Sequence, residues 1–427
     1  MSYGGDSTRR RILAATIELV DEVGIEGVRA IDVAARCDIS TPLIYHYFAN
    51  RSHLVGVAMA ERYERSVVPG VEMFAQAMSS GTPEEALEAA AAFMSAVRSA
   101  DRQRYRWQFL EAMTMAKHDP AVLVVVQQTV ERFTSALERL VLAVKERGWL
   151  LEGAEPKAVT LLLLGLVFGL TLADMDEERR LSARAGNDLI AQTMALFLSI
   201  NVPVAEALSS IELTDSSLIV TDDFVPPRGE DETRQRILEA AISELGERGS
   251  VGFRVKSVAK RAGVSVSLLY HYFGTRSGLL GSAAASAFRS SVEGGLDEIE
   301  KLSLGELSDA QLIAAATEIS VRIFTPNYES ERWKWLEVTA VGRTSAEVRA
   351  ATLAEMDTLI EVLDRIGGNG KTRLLFDPRS FAALFEATVF AAIVSDFAPA
   401  MRPSADGWRA AFSGALRLTT STSASGN

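Results

Sequence analysis

Two short runs of this 427-residue chain carry side chains suited to gripping a polyanion: Tyr45-His46-Tyr47-Phe48 and, 225 residues later, Tyr270-His271-Tyr272-Phe273. On a 3.6-residue period Ile44 and Phe48 share one side of a helix, while Thr41, Pro42, Tyr45 and His46 gather on a second side that is polar and aromatic. Small residues opening a short helix, with hydroxyl and imidazole donors further along, suit a helix that enters the major groove. Its first side chains reach base edges and its later donors hold phosphates. Ser40 and Ser265 are placed to cap these helices, and Arg51 and Arg276 follow them with charge for the phosphate backbone. Such aromatics can also be simple packing residues. Retention of Tyr-His-Tyr-Phe and the following Arg-Ser in both runs argues against that, because packing needs no exposed histidine at 46 and 271.

The elements that must position these runs are repeated with them. Residues 8–55 align without a gap to 233–280, with 23 identities in 48 positions. Ile12, Leu13, Ala15, Thr16, Leu19, Val20 and Val23 form the apolar stripe of a first helix that Gly24 ends. A second helix carries Ile31, Val33, Ala34 and Cys37 and breaks at Asp38-Ile39-Ser40. In the other copy the break is Gly263-Val264-Ser265, where glycine supplies a left-handed turn that Asp38 adopts at greater cost. Similarity resumes far downstream, where Arg106, Trp107, Leu110 and Glu111 match Arg332, Trp333, Leu336 and Glu337. The whole unit was therefore copied. The doubled Arg-Trp-x-x-Leu-Glu suggests a shared Arg to Glu pair across helical turns.

Composition agrees with a helical, globular chain: 48% hydrophobic, 23% charged, 12 prolines. A single cysteine, Cys37, excludes an intramolecular disulfide and reads as a small buried residue. The N-terminus has no signal-type apolar region and the longest apolar run, 158–173, is short for a membrane span, so a reducing cytoplasm is expected. The four histidines, His46, His53, His118 and His271, have no metal-ligand spacing, and no phosphate loop, nucleophile elbow or acidic metal cluster appears, so neither an enzyme nor a cofactor is expected. The formal net charge of −12 decides little, because a DNA-reading patch needs only local charge. Residues 8–55 hold six arginines against six acids, whereas 233–280 hold eight basic residues against three acids. The second segment is expected to bind DNA more tightly.

At Leu43 to Leu54 and again at Leu268 to Leu279 the chain resembles the TetR family of bacterial transcriptional regulators, whose heads end in L-Y-x-x-F followed by a basic residue and a leucine. The resemblance covers about 50 residues of each half and implies that Thr41, Pro42, Tyr45, His46, Tyr47 and Arg51 approach DNA, as do Val266, Ser267, Tyr270, His271, Tyr272 and Arg276. Where the family commonly opens its second helix with threonine this chain has Arg29 and Arg254, which lose a cap and gain a phosphate contact. The usual turn glycine is Asp38 in the first head, and the usual lysine after the Phe is arginine in both.

The expected architecture is all-α: a helix-turn-helix head at 1–53, a helical ligand and dimerisation domain at 54–201, a linker at 202–232, a second head at 233–278 and a second helical domain at 279–420. Helices are expected near 54–78, 83–98, 101–117, 120–148, 156–174 and 180–200, and the Ser216–Val220 piece of the linker has the composition of a short strand. Gly165 and Gly169 admit close approach of another helix, for which 381–394 is the counterpart of 158–173. Since the family forms two-fold dimers through such helices, the halves are expected to pack as an internal pseudo-dimer, with a four-headed homodimer as the competing arrangement. Trp107, Phe109, Met113, Met115 and Phe168, with Trp333, Trp335, Phe385 and Phe390, are candidates to line an apolar effector pocket, or are core alone. The resulting expectation is a ligand-responsive repressor reading a two-half-site operator in double-stranded DNA with unequal heads. The alternative is a related scaffold whose first head contacts a protein.

Overall fold

Each head is built on the same buried set. In the first, α1 (Tyr3–Gly27), α2 (Ala30–Arg36) and α3 (Thr41–Tyr47) close over Ile12, Leu13, Val33, Ile44 and Phe48; in the second, α8 (Glu232–Gly252), α9 (Val255–Ala262) and α10 (Val266–Phe273) close over Ile237, Leu238, Val258, Leu269 and Phe273. Burial of each such side chain contributes about 1.5–3 kcal/mol, so five matched positions largely fix both heads. The computed structural model describes residues 3–80, 82, 85, 100–150, 153–173, 232–287, 309–342, positions scattered from 345 to 361, 374–376, 378–418 and 420–422. The first helix of each head bends where glycine has positive φ, at Gly24 (74°) and Gly249 (66°). The inter-helix turn passes through Gly263 at φ 67° and through Asp38 at φ 49°, as the sequence predicted.

The heads run into the bodies without a break. Helix α4 (Arg51–Ser80) begins inside the first head, so the boundary expected after residue 53 falls within a helix, and α11, which starts at 276 and is described to 287, does the same for the boundary expected after 278. In the first half α4 packs on α5 (Ala100–His118) and α6 (Pro120–Glu146), and α7 (Pro156–Ala173) packs on α6. The second half contributes α12 (Asp309–Arg322), α13 (Glu329–Gly342), α14 (Pro378–Phe397) and α15 (Ala405–Leu418). Apart from Glu85, which is helical, the helix expected at 83–98 lies outside the described residues, as do the one at 180–200, the 202–231 stretch of the linker and its Ser216–Val220 piece. One departure from an all-helical chain is an antiparallel pair, β1 (Leu374–Phe376) with β2 (Thr420–Thr422), in which Leu375 faces Ser421. The β-branched threonines suit it.

The first half and the body of the second half share one core, while the second head closes a cluster of its own with Val338 and Val348. Helix α7 lies along α14 so closely that a methyl group added at Gly165 would run into the backbone carbonyl of Ala387. Phe168 stacks on Phe390 with centroids 5.9 Å apart. Helix α5 packs on α13, and the Glu155 carboxylate accepts from the Ser404 backbone N–H (3.1 Å) at the start of α15. The anticipated Arg to Glu pair does not form in the second half. Residues five apart on a helix point some 140° from one another. Arg332 instead makes a two-pronged bond with Asp396 (2.6 and 2.8 Å) and donates to the Ile323 and Thr325 carbonyls, while Glu337 faces the second head. Among the described residues no helix is long and apolar enough to cross a membrane.

Gly165→Val is expected to force α7 and α14 apart and to cost about 1–3 kcal/mol, read as a lower Tm. Asp38→Gly is expected to raise stability by about 0.5–1 kcal/mol, the left-handed penalty less the entropy of glycine.

Candidate nucleic-acid interface

The short helix that ends each head presents the face its sequence implies. In α3, Pro42, Tyr45 and His46 are exposed and Thr41 is half-exposed beside them, with Ile44 and Phe48 turned inward. In α10, Ser267, Tyr270 and His271 are exposed, Val266 is half-buried, and Leu269 and Phe273 face the core. Tyr47 and Tyr272 differ from their neighbours: each is half-buried and packed against its head's apolar cluster, with the adjacent histidine ring edge-on at 5.3 Å and 5.6 Å. The Ser265 hydroxyl accepts from the Leu268 N–H (3.1 Å), giving α10 a side-chain cap; Ser40 is exposed and makes no such bond.

Arg51 and Arg276 have an occupation that the sequence did not suggest. Arg51 donates to the carbonyls of Val28 (2.6 Å) and Ile25, and Arg276 to that of Ser250 (2.7 Å), so each guanidinium ties the helix that follows α3 or α10 to the turn before the second helix of its head. The planar fork suits two carbonyls at once. A second repeated tie links Arg36 to Glu22 (2.8 Å) and Arg261 to Glu247 (2.7 Å). These arginines hold the heads together from within.

Electrostatically the heads diverge on the helix that precedes the turn. Arg29 is exposed but engages Asp32 through both oxygens (2.7 and 2.9 Å), and the hydrogen bond and charge of Arg29 draw the Asp32 carboxyl below its ordinary range. In the second head Ser257 stands where the first has Asp32, and no ion pair of Arg254 occurs among the described residues. Further along the same helix Lys256 and Lys260 are exposed, where the first head has Ile31, 61% exposed, and Ala35. Sequence counting found the excess of charge; aligning Ile31 with Lys256 and Ala35 with Lys260 would have located it. Cys37 is buried, its thiol directed at the Arg11 carbonyl (3.6 Å), and burial pushes its pKa up, away from thiolate reactivity.

Docking of the heads differs as well. Asp21 of α1 binds Arg62 of α4 (2.8 Å) and accepts from Gln108 of α5 (3.4 Å). Asn50 adds a bond to Asp119 (2.8 Å). The second head, with Gly246 in place of Asp21, rests on the buried Glu337, which accepts the Ser250 N–H (3.0 Å) and lies 3.4 Å from His118 of the first half. A Cβ at Gly249 would come within 2.5 Å of that imidazole and 2.7 Å of that carboxylate. Of the proposed effector-lining residues, Phe109, Phe168 and Phe390 fall in one aromatic cluster with Tyr63 and Phe133, both missed in the sequence. Trp107, Met113 and Trp335 are buried, and Met115 and Phe385 are half-buried. Trp333 stands edge-on to Phe397 beneath Lys117. No cluster of three or more metal-ligating side chains occurs among the described residues.

The pattern of the bacterial regulatory proteins of the tetR family matches residues 12–58 and again 237–283. The chain carries two TetR heads in tandem. Among its curated relatives, the HTH-type transcriptional repressor KstR of Rhodococcus jostii is 40% identical over 57 residues, 13% of this chain and 27% of that protein. The HTH-type transcriptional regulator BetI of Brucella anthropi is 43% identical over 47 residues, 11% and 24% of the two chains. The chain thus spans about a quarter of the length of these relatives. Among solved structures, a Rhodococcus protein described as a TetR-family transcriptional regulator is matched over 45% of this chain and 99% of its own, with TM-score 0.35 and 18% identity. One from Mesorhizobium loti is matched over 45% and 96%, with TM-score 0.37 and 15% identity.

Two measurements check the docking of the TetR heads. Burial raises the Asp21 pKa, but Arg62, with Gln108 and Arg104, outweighs this and holds it below the ordinary 3.8. Stability from a carboxyl lowered on folding is present above its unfolded value and is lost as pH falls through the folded one. Amide exchange in α1 is therefore expected to accelerate below about pH 4, and Asp21→Asn to exchange fast already at neutral pH with that acid dependence flattened. Gly249→Ala is expected to raise exchange in α8 while leaving α1 unchanged.

Proposed function

We propose that this chain is a DNA-binding transcriptional regulator whose two heads engage the two half-sites of one operator, the second head more tightly. The observation that carries this reading is the surface of the second head, where exposed Ser267, Tyr270 and His271 stand on the helix that follows exposed Arg254, Lys256 and Lys260. In a helix-turn-helix the second helix enters the major groove and the first crosses the phosphate backbone. Phosphate neutralisation supplies most sequence-independent affinity. Thr41 and Pro42 stand where the second head has Val266 and Ser267, so the half-sites differ in sequence.

We infer further that the halves pack as an intramolecular pseudo-dimer. Aligning Phe168 with Phe390 pairs Gly165 with Ala387, and each residue meets its own counterpart, the signature of a two-fold axis. One polypeptide then spans both half-sites in the cytoplasm. Repression is the mode we assign, on the analogy of KstR, a repressor matched through its head. A small effector acting on the helical bodies completes the reading. A second reading, in which the first head has given up DNA for a protein, is favoured by exposed Ile31 and by the neutralised Arg29.

Affinity for an operator selected from random DNA tests both readings in the full chain. Replacing Tyr270 and His271 by alanine is expected to weaken binding more than replacing Tyr45 and His46, and each of Lys256→Ala and Lys260→Ala to reduce the salt slope by about one. Equal losses from the two heads would overturn their inequality, and no loss at all from Tyr45 and His46 would favour the second reading. Sedimentation at low concentration is expected to give a monomer, and a concentration-dependent dimer would overturn the pseudo-dimer.

A further inference from the structure

Glu386 lies in the middle of α14, 1% exposed, and neither of its carboxyl oxygens has a hydrogen-bond partner among the described residues. Its helical neighbours at plus three and plus four are Val389 and Phe390, both buried, and the Phe390 ring stacks on Phe168 of the first half. The first-half counterpart, in the register that pairs Phe168 with Phe390, is the buried Leu164, so the fold places no carboxyl there of necessity. Two more unanswered polar atoms, Thr129 Oγ1 and Thr160 Oγ1, belong to α6 and α7, the helices that pack on α14. A buried carboxylate with no partner is far too costly to remain ionised, and burial alone raises the Glu386 pKa well above its ordinary value. Burial thus favours the neutral carboxyl, which carries unused hydrogen-bonding capacity beside buried Val389 and Phe390.

We propose that Glu386 anchors the effector of this regulator, and that the effector is a protonated primary or secondary amine on a short apolar body. The ammonium N–H groups answer the carboxyl oxygens, its charge permits the carboxyl to ionise, and the hydrocarbon part occupies the apolar surroundings shared with Phe390 and Phe168. The balance is explicit: an ammonium ion enters, the carboxylic acid loses its proton to solvent, and one proton is released for each ligand bound. The inference rests on the reading of the chain as effector-responsive, and names the chemistry of the effector.

The test uses the full chain without DNA, titrated calorimetrically with n-hexylammonium chloride in two buffers of different ionisation enthalpy. Saturable binding with close to one proton released is expected, whereas hexan-1-ol and the trimethylated hexylammonium ion, which lack an ammonium N–H, should bind at least tenfold more weakly. Glu386→Leu should abolish binding and raise Tm, because a partnerless buried carboxyl gives way to the residue its counterpart uses. Glu386→Gln should weaken binding about tenfold or more and eliminate the proton release. Absence of saturable hexylammonium binding to the wild-type chain, or binding that survives Glu386→Leu, would overturn the proposal. Operator affinity measured separately distinguishes the two levels: DNA binding without amine binding leaves the regulator and removes this site, and amine binding without DNA binding does the reverse.

Discussion

The approach of α7 to α14 governs the remainder of the structure. Two helices whose backbones nearly touch leave little room for side chains between them, and Gly165 against Ala387 supplies that room. The stacked pair of Phe168 and Phe390 then fills the next turn, so a gap and a bulky contact alternate along the seam. From this seam the position of each head follows through packed helices. On one side α7 rests on α6, α6 on α4, and α4 on α1; on the other, α14 rests on α13 and α13 on α8. Interiors packed like crystals transmit displacement, so a change at the seam reaches both heads.

What the copies have kept and what they have changed sort by location. The inward set of each head is matched position for position, as are the internal ties of Arg36 with Glu22 and Arg261 with Glu247, and of Arg51 and Arg276 with the turn carbonyls. Changes concentrate on the outer face of the second helix and at the contact with the body. Asp21 holds the first head to its own half, whereas Glu337 and His118 hold the second to a junction of both. The second head is therefore mechanically joined to α5 of the first half, and the first head has no equivalent bond across the seam among the described residues.

Much of this was legible in the residues. The repeat, the three helices of each head, the positive φ at Asp38 and the exposed faces of α3 and α10 follow from periodicity and turn chemistry, which act over a few residues. The partners of Arg51, Arg332 and Glu337 were not legible, because each lies on another element: Arg51 bonds residues 23 and 26 positions earlier, and Arg332 bonds Asp396, 64 positions later. Local spacing placed Arg332 and Glu337 on one helix and so invited a pair between them; tertiary packing sent them to different neighbours. The short β1 and β2 pair was missed for the same reason, since three-residue strands whose central residues, Leu375 and Ser421, lie 46 positions apart leave no periodic trace.

Gly165 carries a last consequence. In an assembly of identical chains every substitution at an axis appears twice, so a residue that must be small on one side must be small on the other. Here the two sides are separate codons, and the pairing is already unequal, glycine against alanine. Space lost by one helix can be returned by the other, which opens evolutionary routes through enlarged and reduced side chains that a symmetric ancestor would have found closed at every step.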